Sequence, residues 1–571
     1  MTAAWDITIA ETLDLLDKDF EEFARSIADD CYAIWLGSGI SLAKVPGLKT
    51  VIETVLEHLR TKCDLTNPNC RFLKSLGRIL PMAGLSAAEI GAIDLTQAVA
   101  DWPDKDRICQ VLTTQYGRML DQHPTGEMAD YLVWDAIDVV ATFADPMLTP
   151  GPEHLGLAAL MIEGAVSDCA SANWDGLVEK AVDLLVGPGV GVLQVRVVPA
   201  DVMNGSARAR LYKFHGCAIL AASGGATYRE RLVGRASQIH GWCDKQENKV
   251  FAGKLIDLAT SKTTLMLGLS MQDTNIQNIF VNAKQNLPQT FPTHPPAVIL
   301  SEDQVGADQL SLLQNFYKSD YATKAEAIET NALLRSYGRS LLPALWLFTV
   351  TAKLEAILEK ATPDLAHGDR QALRGALRAM RNAIAATAPA ADHEGFMHQV
   401  LAIAGRTISL FRNGRTLGAT TALYTPLTTT GISRTLADPT LDTSGLVELA
   451  LGAALITRGQ AEKIWSVTMS DPGQTKTGAL RVKGSVRETE LFFAGNAWAA
   501  ARLVTEGHVA EADDVLVVHS HPLPAVAPRH PSSTYGRTLR RGRRDVSLAS
   551  FAEGETDLDA LFKKFKAEIA L

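Results

Sequence analysis

Residues 165–180, AVSDCASANWDGLVEK, constrain the fold more than any other stretch of the chain. They open as a short apolar run, break into Ser171-Ala172-Asn173-Trp174-Asp175, and resume with helical apolar spacing from Leu177. That order predicts strand, polar turn, helix. In an open α/β sheet, ligands bind at the carboxyl ends of strands, where such turns lie. An amide and a carboxylate two residues apart at a strand end can hold a polar substrate and orient a water. The same residues also suit a plain turn, with Asp175 as a helix N-cap and Asn173 shaping the bend.

Three further strand ends carry clusters of this kind. Residues 31–36, CYAIWL, form an apolar run of strand length and lead into Gly37-Ser38-Gly39-Ile40-Ser41. Glycines let the backbone approach a ligand closely, and exposed N–H groups can take a diphosphate. The full G-x-G-x-x-G fingerprint is absent, because Leu42 stands where its last glycine would fall. A short strand over 211–214 ends in His215-Gly216. Another over 264–267 ends in Gly268-Leu269-Ser270-Met271-Gln272-Asp273. Residues 193–198 and 297–300 read as further strands, the latter as the last clear one. Strands alternating with helices predict a parallel sheet covered on both faces. One amphipathic helix precedes it, marked by Leu13, Leu16, Phe20, Phe23 and Ile27. Residues 62–149 are mixed and mostly helical. They are too long for a βα loop and read as a helical insertion that caps the site.

With 571 residues the chain has room for two to four domains. The pattern changes after about residue 305. Residues 325–358 read as helical with a break at Pro343, and Leu373, Leu377, Met380 and Ile384 mark another helix. A linker over 385–391 and a helix through Phe411 follow. Short strands then appear at 467–469 and 515–518, and a last helix carries Leu558, Leu561, Phe562, Phe565 and Ile569. The expected fold class is therefore α/β: a Rossmann-like parallel sheet with a helical insertion over 1–305, a helical connecting region over 306–411, and an α+β unit over 412–571 that serves as sensor or partner-binding domain. A net charge of −9 argues against wholesale nucleic-acid binding. The seven cysteines are odd in number and include no C-x-x-C pair, a reduced, cytoplasmic pattern. No basic segment followed by an apolar core opens the chain, and the apolar stretch 446–456 is shorter than the ~20 residues needed to span a bilayer, so neither a leader nor a membrane is expected.

Taken together, the four turns resemble the sirtuin-like family, over roughly residues 25–302. The family's Gly-Ala-Gly-Ile-Ser turn is matched by Gly37-Ser38-Gly39-Ile40-Ser41, and its Thr-Gln-Asn-x-Asp by Ser171-Ala172-Asn173-Trp174-Asp175. Its catalytic His-Gly pair is matched by His215-Gly216, and its Gly-x-Ser ribose turn by Gly268-Leu269-Ser270. The stretches 154–175 and 268–273 resemble the bacterial sirtuin-like proteins of phage defence. Two departures matter. Deacetylating sirtuins carry two C-x-x-C pairs that bind zinc, whereas only Cys217 and Cys243 follow the histidine here. The family's Gly-Ile-Pro-Asp-Phe-Arg segment is replaced by Val45-Pro46-Gly47-Leu48-Lys49. Both suit a protein that destroys NAD instead of using it to deacylate a substrate.

The resemblance implies NAD as substrate, no zinc and no catalytic metal. Cleavage of the nicotinamide–ribose bond passes through an oxocarbenium-like state, as glycoside cleavage does. The leaving group is already cationic and needs no general acid. A base for water and fixed dipoles around the ribose are what help. His215 suits the base at neutral pH. Asn173 is expected to orient the water or the ribose hydroxyls, and Asp175 to hold the carboxamide. Gly37, Ser38, Gly39 and Ser41 would hold the diphosphate, and Gly268, Ser270 and Asp273 the adenosine end.

Two other signals stand outside this set. His519-Ser520-His521-Pro522 resembles the start of a metal-dependent isopeptidase motif, but Arg529 stands where its serine is needed and no aspartate precedes Asp545, so a surface loop is favoured. Arg529, Arg537, Arg540, Arg541, Arg543 and Arg544 are dense around Tyr535 and suit either phosphates or a solvated protein-contact loop. The function read from the sequence is an oligomeric NAD hydrolase, an abortive-infection effector triggered through its C-terminal unit or a partner. By the resemblance that partner is a short Argonaute, a HerA-type ATPase or a nucleotide-sensing protein, and the trigger a nucleotide or nucleic acid. The alternatives are a silent sirtuin-like binding module and, less favoured, a protein deacylase.

Overall fold

The computed structural model describes residues 3–203, 205, 207–286, 290–414, 423–469, 480–509, 514–520, 543–552 and 554–569. Their strands form two sheets. The first contains β1 (Tyr32–Leu36), β2 (Asp168–Ser171), β3 (Leu193–Arg196), β4 (Ala209–Lys213), β5 (Thr263–Leu267), β6 (Val298–Ser301) and β7 (Leu333–Leu334). Their order is β3-β4-β2-β1-β5-β6-β7, and every neighbouring pair is parallel.

β1 shows why the strands read as unbroken apolar runs. All five of its residues are buried. Tyr32, Ile34 and Leu36 enter one core, and Ala33 and Trp35 enter another on the opposite face. A parallel sheet covered by helices on both sides needs apolar residues at every position. The first face takes α1 (Ile9–Leu16) and α2 (Glu21–Ala28). The sequence predicted one helix here; a turn over 17–20 makes it two. The bend lets both helices lay their apolar sides on the same core, with Ile9, Leu13 and Leu16 from one and Phe23, Ala24 and Ile27 from the other. The insertion begins beyond α3 (Leu48–Thr61). It holds helices Arg71–Ile79, Lys105–Thr113 and Tyr116–Leu120 and a π-helical turn, Leu132–Ala136, around a core of its own.

α4 (Pro152–Ile162) and α5 (Leu177–Val186) flank β2 and complete the first face with α6 (Gly338–Ala361). Two expectations fail here. The sheet does not end at 298–301, because β7 adds an edge strand of two residues, too short to register as a periodic signal. α6 is also unbroken at Pro343. The proline lies where α4 and α6 cross. A Cβ on Gly156 of α4 would stand 2.8 Å from the Pro343 nitrogen, so the two backbones are nearly in contact. Packing on both sides holds the helix through the one backbone bond that proline removes.

α6 is long and apolar enough to cross a membrane, yet it is mostly buried inside the protein. Leu341, Leu345 and Trp346 sit in the first core, and Leu354, Ile357 and Leu358 in the core of the second unit. After α7 (His367–Ala386), α8 (His393–Asn413) repeats this pattern, with Phe396 and Val400 in the first core and Ile408 and Phe411 in the second. Both of these helices lie within the expected connecting region 306–411 or run just past its end. The helical region is shared between the two cores.

The second sheet contains β8 (Ser466–Met469), β9 (Leu480–Lys483), β10 (Glu488–Ala494), β11 (Val515–His519) and β12 (Arg544–Ser547), in the order β12-β11-β10-β9-β8. β8, β9 and β10 run antiparallel, and β10, β11 and β12 parallel. α9 (Leu446–Ala461), the source of the apolar stretch at 446–456, is buried against it, as is α11 (Leu558–Ile569); α10 (Ala497–Thr505) follows β10.

A buried ion pair rivets the two units. Glu163, just after α4, and Lys353 of α6 are both inaccessible, with Nζ 2.7 Å from Oε2. Lys353 also donates to the Glu163 carbonyl (2.6 Å) and the Thr428 carbonyl (3.1 Å). The other Glu163 oxygen accepts from the Tyr424 hydroxyl (2.5 Å) and the Leu427 N–H (3.1 Å). Every polar group of the pair is thus satisfied, the condition for keeping charges in a core.

Candidate active site

The strand order places β4, β2, β1 and β5 side by side, so their four carboxyl-end turns meet. Between them lies a cavity of about 220 Å³ lined by Gly37, Ser38, Ser41, Asn173, Asp175, His215, Gly268, Ser270 and Asp273. Gly39 lines an adjoining cavity of about 760 Å³, and Ser38, Leu42, Gly268 and Ser270 border both. The position beside β1, from which the chain builds the sheet in both directions, is where this fold class binds ligands.

The glycines act otherwise than expected. The Gly37 N–H donates to the Leu267 carbonyl (2.9 Å) and the Gly39 N–H to the Gly268 carbonyl (3.1 Å), so neither is available to a diphosphate. Cβ atoms on Gly37 and Gly39 would overlap the Gly268 backbone, and Gly268 itself has φ +60°. These residues let the turns after β1 and β5 touch, which brings Ser38 and Ser270 to the rim shared by the two cavities.

His215 lies two residues past the end of β4. Its Nε2 lies 2.8 Å from Asp273 Oδ2, and Nδ1 has no hydrogen-bond partner among the described residues. Asp273 was expected at the adenosine end; the structure puts it on the histidine instead. Its Oδ1 accepts from the Asn275 backbone (2.8 Å) and side chain (3.0 Å). Burial pushes the Asp273 carboxyl up, but the bond and charge of His215 and the Asn275 donors outweigh it and hold the group below its ordinary range. An ionised Asp273 accepts a hydrogen bond from Nε2–H and leaves Nδ1 as the nitrogen with the free lone pair, the orienting arrangement that catalytic histidines use. The His215 carbonyl is held by the Trp174 indole N–H and the Val233 N–H, each at 2.9 Å. Gly216, at φ +94°, has no room for a Cβ beside the Arg231 carbonyl.

Asn173 Nδ2 donates to the Gly37 carbonyl (3.0 Å) and lies 3.5 Å from Ser41 Oγ, so the amide ties the β2 turn to the β1 turn. That contact assigns its orientation and leaves Oδ1 without a partner among the described residues. Asp175 is buried, and its Oδ1 accepts from the Leu177 N–H at 3.1 Å. The N-cap position of α5 is Gly176 and not Asp175 as expected; Asp175, one residue earlier, holds the first N–H of the helix and lines the cavity.

Other residues of the site carry little signal in the sequence. The Gly151 N–H donates to His154 Nδ1 (3.1 Å), which leaves Nε2–H to donate to Ser41 Oγ (3.2 Å). Lys213, fully buried at the end of β4, bonds the Asp175 carbonyl, Glu179 (3.0 Å) and Cys217 Sγ (3.4 Å). Burial pulls Lys213 down, but Glu179, Cys217 and Asp175 outweigh it and raise it. The insertion does cap the site, through Tyr116, Leu120, Ile137 and Phe143. Burial, with the charge of Asp273, pushes the Tyr116 hydroxyl up to about 12. Only the spacing of a lysine and a glutamate on neighbouring elements could have flagged Lys213. Tyr116 comes from a distant segment with no motif of its own, and His154 is marked only as the first residue of the stretch 154–175.

Cys217 and Cys243 have separate surroundings; Cys243 lies 3.8 Å from the Asn275 carbonyl. Among the described residues, no three His, Cys, Asp or Glu side chains gather to hold a metal ion. His519 and Ser520 are buried at the end of β11, which corrects the surface loop expected there, while residues 521–542 lie outside the described residues. Arg537, Arg540 and Arg541 are among those. Arg543 pairs with Asp545 (3.0 Å), and Arg544 donates to the Ile569 carbonyl (2.5 Å), so these two arginines are engaged within the unit.

A parallel sheet with a cleft at the ends of its central strands defines a Rossmann-like α/β fold. More narrowly, residues 169–322 match the family model of the SIR2-like domain, a kind of domain that uses NAD. Comparison with curated proteins gives no match.

Proposed function

We propose that this chain is an NAD hydrolase that cleaves the nicotinamide–ribose bond, acting as an effector of bacterial antiphage defence. The observation that carries the reading is the convergence of Asn173, His215 and Asp273 in one capped cavity, with the imidazole Nδ1 left as a base. In the reaction, the oxygen of a water molecule bonds to the ribose C1′ and the C–N bond breaks. Its electron pair stays on the nicotinamide nitrogen and cancels the positive charge there. His215 takes the water proton, and Asp273 stabilises the resulting imidazolium. Asn173 Oδ1 orients the water or a ribose hydroxyl, and Asp175 holds the carboxamide. The products are nicotinamide and ADP-ribose. Gly268 and Ser270 turn the remainder of the substrate toward the larger cavity.

Control passes through the C-terminal unit, and α8 is the support for this. It starts at the wall of the larger cavity with His393 and ends under β10 with Phe411. At about 1.5 Å per residue its 21 residues span roughly 31 Å. A partner or nucleotide bound to the C-terminal unit, with Arg537, Arg540 and Arg541 as the proposed contact, is the trigger that α8 would relay. The test is NAD turnover by the full chain, followed by nicotinamide release, with and without candidate triggers. A chain that leaves NAD intact under every trigger that binds it overturns the reading.

A further inference from the structure

The larger cavity is closed by residues from outside the segment matching the SIR2-like domain. Its floor is Gly39, Gly268 and Ser270; its far wall is Arg339 of α6 with His393 and Glu394 of α8. Most polar groups in that wall are already paired. Glu394 takes Lys44 at 2.6 Å. Arg339 donates to the Ala390 carbonyl (3.1 Å) and stacks 4.7 Å from the Trp5 ring. Asp392 caps α8 through the Gly395 N–H at 2.7 Å.

His393 differs. It is 4% exposed, and neither ring nitrogen makes a hydrogen bond; the Arg339 backbone lies beside it without the required geometry. Burial, and then the charge of Arg339, hold the imidazole below its usual pKa, so at neutral pH it is an uncharged ring with one donor and one acceptor. A buried ring with both functions unused costs stability unless something in the cavity satisfies it. The cavity joins the reaction cavity along Ser38, Leu42, Gly268 and Ser270, so a dinucleotide whose ribose lies at His215 would carry its other nucleoside toward this wall.

We propose that His393 is a specificity-determining contact for the adenosine end of the dinucleotide, supplied by the helix that reaches the second sheet and not by the SIR2-like segment. The proposal rests on the NAD reading above. Its test uses the full chain with His393→Ala and His393→Gln, scored for NAD hydrolysis and, separately, for AMP binding by calorimetry. Loss of one neutral hydrogen bond weakens binding by about tenfold. His393→Ala is expected to raise KM for NAD and Kd for AMP by that factor with kcat unchanged. His393→Gln, which keeps a donor and an acceptor, recovers most of the loss. Nicotinamide mononucleotide, which lacks the adenosine, competes equally well against both proteins. Equal KM and Kd in wild type and His393→Ala, or an equal loss toward the mononucleotide, overturns the proposal. If NAD is hydrolysed but KM is indifferent to residue 393, this inference fails and the NAD reading stands. If AMP binds in a residue-393-dependent way but NAD stays intact, the reverse holds. Melting curves of both variants separate a binding loss from a folding loss.

Discussion

Each of the two sheets ends a parallel strand in a histidine. After β4, His215 faces a cavity, with Asp273 on one ring nitrogen and the other free among the described residues. At the end of β11, His519 turns onto its own chain, with Nδ1 2.5 Å from the Ser520 carbonyl. The neighbouring strand end is filled as well. The Gly495 N–H, just past β10, donates to the Leu410 carbonyl (3.1 Å), and a Cβ on Gly495 would overlap the Phe411 carbonyl. The Ser520 hydroxyl bonds the Gly495 carbonyl. The last turn of α8 therefore occupies the place where the first sheet keeps its cleft. A histidine at a strand end becomes a candidate catalyst only where neighbouring turns stand apart and leave its ring a free nitrogen.

The strongest way to break the comparison is to remove the first histidine. His215→Ala is expected to lower NAD turnover by ~10²–10⁴-fold, the usual worth of a positioned base, with the melting temperature little changed. Asn173→Ala should cost ~10²–10³-fold, as the loss of a fixed dipole does. Full activity in either variant would place the chemistry elsewhere.

The joint between the units comes next. Lys353→Met leaves Glu163 buried and uncompensated, which typically costs about 3–5 kcal/mol. Denaturant unfolding should register that loss and split into two transitions as the sheets part. Adding Glu163→Gln should recover part of it. A single unshifted transition would mean that the apolar contacts of α6 and α8 suffice.

A smaller effect concerns pH. The folded pKa of Asp273 lies below its ordinary value of about 3.9. Its contribution to stability is thus complete above the unfolded pKa and is lost as pH falls through the folded one. Between about pH 5 and about pH 2, wild type should lose more stability than Asp273→Asn, compared by chemical unfolding at each pH. Equal pH slopes would show that the His215–Asp273 contact is weak. The smallest expected effect is at the second histidine: His519→Ala, at a buried site that does not line the first sheet's cavity, should leave basal NAD turnover within about twofold of wild type, as distant independent sites do.

What was legible in the chain follows from local chemistry. Apolar runs such as 32–36 must be strands buried on both faces, and the polar turns that close them must lie at one edge of a parallel sheet. The sequence by itself therefore determined the class of fold and which turns meet at the cavity. It left open what each group touches. Asp273 and His215 are 58 residues apart and meet only because β4 and β5 lie in one sheet with their turns at one edge. The fate of the glycine N–H groups depended on how closely two turns approach, and Pro343 stayed helical because a glycine on α4 lets two helices nearly touch. α6 and α8 read as a connector because helical periodicity reports an apolar side but not its partner. Only tertiary packing divided those helices between two cores and set His393 in the wall of the larger cavity.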